Sequence, residues 1–165
     1  MTAIEASAYL PPLDEPHERE AVGGELQATL LELVDLSLIG KQLHWSVGGS
    51  NFRPLHLELD ELVDSWRELS DTVAERAVAI GVVPNGQAGA VVDGSELAPV
   101  KQEVLDDRVV VRELTRRIAE VSERARERMN RLGDLDLASQ DVLIEVVREL
   151  EKQQWMLRVQ LGGGA

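Results

Sequence analysis

Four side chains in the middle of the sequence have the types and spacing to hold a metal ion: His56, Asp60, Asp71 and Glu75. His56 and Asp60 are an i,i+4 pair, and so are Asp71 and Glu75, so on a helix each pair can aim two ligands at one point. On a helical wheel the four fall within about 100° of each other, roughly opposite the apolar residues of the same segment. A second histidine, His44, lies just before this segment. Imidazoles and carboxylates in a chain with three histidines and no cysteine describe a site for iron or a similar metal that prefers oxygen and nitrogen. The competing reading is a solvated polar face, the usual fate of a charge-rich helix. Spacing alone leaves both readings standing.

The two pairs cannot share one metal within a chain. Asp60 and Asp71 are eleven residues apart, a rise of roughly 16 Å on a helix, whereas metal–ligand bonds are about 2 Å. The geometry closes if two copies of the segment pack antiparallel about a twofold axis near Ser65 and Trp66. His56 and Asp60 of one copy then meet Asp71 and Glu75 of the other, and each dimer carries two identical sites. Asp64 and Arg67 lie on the same side and can form ion pairs across such a dimer.

Four amphipathic helices are expected to position these groups. Segment A runs over 25–47, with Leu26, Leu30, Leu31, Val34, Leu38 and Ile39 at helical spacing and Gly48 and Gly49 after it. Segment B runs over 52–81, with Asn51 as its cap and Leu55, Leu59, Leu62, Trp66, Leu69, Val73 and Ile80 as its stripe. A long connector follows, with a short helix expected near Glu96. Segment C spans 103–132 and carries Val104, Val111, Leu114, Ile118, Val121, Ala125, Met129 and Leu132. Segment D spans 139–160, capped by Ser139, with Leu143, Val147, Leu150 and Leu157 inward. No stretch alternates as a strand would, so the expected class is all-α. Two hairpins joined by one long crossover make a ferritin-like four-helix bundle over 22–162. Pro11, Pro12 and Pro16 mark residues 1–21 as a flexible tail.

Composition narrows the function classes. At 165 residues the chain has the length of one domain. Without cysteine there is no disulfide framework, thiolate site or thiol nucleophile, which fits a cytoplasmic location. No apolar run approaches the length that spans a bilayer, and the acidic N-terminus lacks the apolar stretch of a signal peptide. The net charge of −13 is the wrong sign for coating phosphates and suits attraction of metal cations better, although composition alone favours plain solubility as its reason.

The stretch GKQLHWSVGGSNFRPLHLELDELVDSWRELSDTVAERAVAIG closely resembles the defining region of Dps proteins, the mini-ferritins of starved cells. The family pattern is a histidine followed by tryptophan, a second histidine twelve positions on, an aspartate four later, another aspartate eleven beyond, and a glutamate four further. His44–Trp45, His56, Asp60, Asp71 and Glu75 keep every spacing. The final ELEKQQWMLRVQL also looks like the family's last helix. The resemblance implies a homo-dodecamer built from twofold dimers. His44, His56 and Asp60 of one subunit and Asp71 and Glu75 of its partner then form a ferroxidase site. It implies ferrous iron as the metal, oxidised by hydrogen peroxide and less readily by dioxygen, with ferric mineral stored inside and oxidative stress relieved. Trp45 is similar to a family tryptophan that intercepts stray oxidising equivalents; interface packing is its other reading.

Asp136 and Asp141 best match the family's acidic pore residues, with Asp134 nearby and Glu145, one turn below Asp141, as an extension; the competing reading is ordinary helix N-terminal acid. His17 with Glu18 and Glu20 is a weaker metal candidate in the tail. Family members that bind DNA directly use basic tails, whereas Arg19 is the sole Lys or Arg among the first 21 residues here. The arginines of segment C are interleaved with glutamates and read as a salt-bridged face. Ferroxidase and iron store is therefore the leading expectation. A nucleoid-associated protein that coats DNA, and a helical oligomer with a degenerate site, are the alternatives.

Overall fold

The computed structural model describes residues 11–13 and 15–162. Within them lie five helices: α1 (Pro16–Ser46), α2 (Phe52–Ala79), the short α3 (Ala88–Gly94), α4 (Asp107–Leu132) and α5 (Leu137–Gln160). Two short strands, β1 (Val47–Gly48) and β2 (Leu105–Asp106), pair in parallel, with Val47 opposite Leu105. This stitch ties the α1–α2 turn to the end of the long crossover. The expected all-α, ferritin-like bundle is what forms: hairpins α1/α2 and α4/α5, joined by one connector that carries α3.

Several boundaries differ from expectation for physical reasons. Residues 1–10 and 14 of the expected tail lie outside the described residues. The remainder of that tail is helical from Pro16, because proline at the first helical position lacks an N–H that would have no partner there. Val22 and Leu26 are fully buried and anchor this extension. Helix α4 starts at Asp107, later than expected, because Leu105 and Asp106 are taken up by the β1 pairing and Asp106 caps the helix by accepting from the Arg108 N–H at 3.0 Å. Val104, expected in the core, is therefore 81% exposed. Leu38, also assigned inward, is 54% exposed. Asp136 rather than Ser139 caps α5, accepting from the Ser139 N–H at 3.0 Å. Asn51 sits at the cap of α2 without a side-chain cap bond; its own N–H donates to buried Asp107 at 2.7 Å.

The α1/α2 register depends on one close approach. A Cβ on Gly40 would lie 2.6 Å from Trp66 Cζ3 and 2.7 Å from Val63 Cγ2, so only glycine lets the helices meet at this point. Trp66 is fully buried, and its Nε1–H donates to Gln153 Oε1 on α5 at 2.7 Å. The polar group of the largest core side chain is thereby satisfied across the bundle.

Charge is buried on the α1–α4 seam. Glu32, 1% exposed, accepts from Arg128 Nη1 at 2.6 Å and also from Arg124. Further along, Glu25 takes a two-bond grip from Arg131 at 2.6 and 2.9 Å. Arg116 and Arg117 pair with Glu113 inside α4. The salt-bridged arginine face is thus partly within the helix, as expected, and partly a bolt between helices. Arg117 also donates to the Ala98 and Pro99 carbonyls at 3.0 and 3.3 Å, which fastens the crossover.

Two stability outcomes follow from these contacts. Glu32→Gln strands two shielded guanidinium groups and is expected to cost about 3 kcal/mol in urea unfolding, whereas replacing Glu32, Arg124 and Arg128 together by methionine should cost less than about 1 kcal/mol. Gly40→Val forces α1 off α2 and should lower stability by about 2 kcal/mol or more by the same measurement.

Candidate metal centre

His44 lies in the last turn of α1 and His56 in the second turn of α2, and the α1/α2 hairpin stacks their rings at 3.6 Å between centroids. Each imidazole is held by the backbone of the other residue. His44 Nδ1 is 2.9 Å from the His56 carbonyl, and His56 Nδ1 is 3.0 Å from the His44 carbonyl. A carbonyl only accepts, so both rings carry their hydrogen on Nδ1, a tautomer assigned from this geometry. Both Nε2 lone pairs are left for a metal, the arrangement that orients histidine ligands generally. His44 is buried, and the Phe52 ring lies 5.1 Å from His56.

Asp60, one turn after His56, lies beside this pair: its Oδ1 is 3.3 Å from His44 Nδ1. The same oxygen accepts from Lys41 Nζ at 2.6 Å. That Lys41 bond holds the Asp60 carboxyl below the ordinary carboxylate range; slight desolvation opposes the shift, and the two imidazoles and the lysine charge add to it. Asp60 is therefore anionic at neutral pH and already sits beside a cation. Lys41 did not figure among the sequence candidates, although its place three residues before His44 puts it on the same face of α1.

Asp71 and Glu75 are exposed on α2, without a side-chain hydrogen bond or ion pair among the described residues. They do not join the histidine group. Eleven residues separate Asp60 from Asp71, or roughly 16 Å of helix. Among the described residues, no three His, Asp or Glu of one chain gather closely enough to hold a metal. Asp64 and Arg67, expected to pair between copies, lie 3.8 Å apart within the chain. Trp45, beside His44, is 69% exposed.

The acidic residues at the start of α5 separate into two kinds. Asp136 accepts from Arg76 Nη2 at 2.7 Å and from Ser139, so its carboxylate is engaged inside the chain, as the helix-terminal reading had it. Partial burial pushes its carboxyl up, but the bonds from Ser139 and Arg76 prevail and it lies below the ordinary range. Asp141 and Glu145 are exposed along a groove between α2 and α5 that Glu68, Arg148 and Glu149 also line. His17 is exposed in the first turn of α1, 3.9 Å from Glu15.

Comparison with known proteins agrees with this architecture. The ferritin-like domain family matches residues 24–164. A DNA protection during starvation protein of Mycolicibacterium smegmatis is 38% identical over 144 residues, covering 82% of this chain and 74% of that protein. The fine tangled pili major subunit of Haemophilus ducreyi is 36% identical over 141 residues, covering 84% of this chain and 74% of that one. The solved structure of Dps from Microbacterium arborescens in the high iron form superposes with a TM-score of 0.86 at 28% identity, covering 92% of this chain and 99% of that chain. With its bundle, its crossover and its histidine–aspartate group, the chain belongs to the Dps family of ferritin-like proteins, a family of iron storage and protection.

Proposed function

We propose that this protein is a ferroxidase and iron store, in which ferrous iron is the substrate of a centre shared between two copies of the chain. The observation that carries the reading is the locked imidazole pair: two Nε2 lone pairs and the ionised Asp60 carboxylate on one hairpin. Asp71 and Glu75 of a second copy, packed antiparallel along α2, supply the remaining oxygen ligands. Carboxylates favour ferric product over ferrous substrate because they are hard anions, and the imidazoles add neutral donors. Two ferrous ions give one electron each to hydrogen peroxide; its O–O bond breaks and two protons complete two waters. The ferric ions hydrolyse and collect as mineral inside a shell of twelve copies. Asp141 and Glu145 are the residues proposed to line the inlet, whereas Asp136 is occupied by Arg76. Support comes from the ferritin-like family and from a relative solved in a high iron form.

Relatives named for DNA protection favour a second reading, in which the protein coats DNA. The net charge of −13 weighs against it.

His56→Ala combined with Asp60→Ala should abolish peroxide-dependent ferrous oxidation, followed by ferric absorbance, while the assembled mass stays that of the unaltered protein; undiminished kinetics would reject the assignment. Lys41→Gln removes the cation that competes for Asp60, so anaerobic ferrous binding should tighten by about threefold at neutral pH, the scale of a partly exposed ion pair. The same change releases the Asp60 carboxyl toward its ordinary, higher range. Protons then compete earlier, and the acid limb of the binding profile should move to higher pH.

A further inference from the structure

Asp71 and Glu75 have no partner among the described residues to aim them. Their direction is that of the α2 backbone alone. Glu75 stands one turn from the end of that helix at Ala79, where helices fray and last-turn carbonyls lack internal donors. Two devices stop the fraying here. The first acts along the axis. Gly81, at φ +86°, lets its own N–H reach the Val78 carbonyl at 2.9 Å and the Val82 N–H reach that of Ala77 at 2.9 Å.

The second device fixes the helix sideways. Arg76 adjoins Glu75, and its planar guanidinium spends two nitrogens on the first turn of α5: Nη2 on Asp136 at 2.7 Å and Nε on Ser139 Oγ at 2.9 Å. Two bonds from one plane fix orientation as well as distance, which a lysine cannot reproduce. The pair is shielded, with side chains 19% and 13% exposed. Its far end is firm, because Asp136 is bonded to the α5 backbone and Ser139 is fully buried. The half of α2 that carries His56 and Asp60 is fixed separately, by the hairpin with α1.

We propose that Arg76 is a positioning residue for the acidic half of the shared centre: its bond pair to Asp136 and Ser139 sets the direction in which Asp71 and Glu75 leave this copy toward its neighbour. The proposal rests on the shared-centre reading above. It separates a defect in one half of the site from damage to the whole fold, and mixed assemblies read that separation.

Arg76→Gln is expected to assemble at full mass and to oxidise ferrous iron with peroxide about tenfold more slowly, with Arg76→Lys in between. Asp136→Asn, which opens the clamp from the α5 side, should behave like Arg76→Gln. Co-expressed in equal amounts with His56→Ala, the Arg76→Gln chain contributes a sound histidine half and the partner a sound acidic half. Half of random dimers are mixed and one of their two sites is whole, so activity should recover to about a quarter of the unaltered protein. The control pairs His56→Ala with the Asp71→Ala, Glu75→Ala chain and should recover equally. The proposal is overturned if Arg76→Gln keeps the full rate. It is equally overturned if its mixture gives no more than the parents while the control recovers, for then the damage is general. A control that fails to recover removes the shared centre itself, and the role of Arg76 with it.

Discussion

Two imidazoles each bonded to the other residue's carbonyl are a constraint on the backbone as much as on the rings. The exchange at 2.9 and 3.0 Å requires the end of α1 and the start of α2 to lie in one register. A slip of one residue would turn a ring by about 100° and leave both carbonyls facing the wrong partner. That register is set deeper in the hairpin, where Gly40 admits Trp66 and Val63 to the surface of α1. Trp66 is in turn pinned to α5 through Gln153. The imidazole pair therefore depends on a contact in the core, and it stands on rigid elements rather than on loops.

Buried ions on the α1–α4 seam serve a related purpose. Glu32 with Arg124 and Arg128 is a weak source of net stability, because desolvation cancels much of the attraction. A charge so placed is costly in any register that separates it from its partners. The seam therefore discriminates among ways of packing similar leucine-rich helices, whereas the more exposed Glu25–Arg131 pair two turns away adds little to that discrimination. Arg117 discriminates likewise for the crossover by holding two of its carbonyls.

Much of this was legible in the sequence because helices report themselves through period. The apolar stripes located the four long helices, and the i,i+4 pairs on segment B showed which residues share a face. The rise per residue showed that the two pairs lie too far apart to meet in one chain. What escaped was set by tertiary partners. Pro16 reads as a breaker until Val22 and Leu26 have a core to enter. Val104 has helical spacing but falls beside a strand pairing with residues far away in sequence. Lys41 and Arg76 carry no pattern that singles them out, and only the fold sets them against Asp60 and Asp136.

The Lys41–Asp60 bond and the carbonyl-held imidazoles also mean that these three side chains are held in place by contacts the chain makes itself. In small zinc domains the ligands repel or dangle without metal, and the polypeptide unfolds when the ion is stripped away. Here the Lys41 ammonium group balances the Asp60 carboxylate, and the core beneath is packed from apolar side chains. Side chains held this way keep a fixed posture that the hairpin itself imposes.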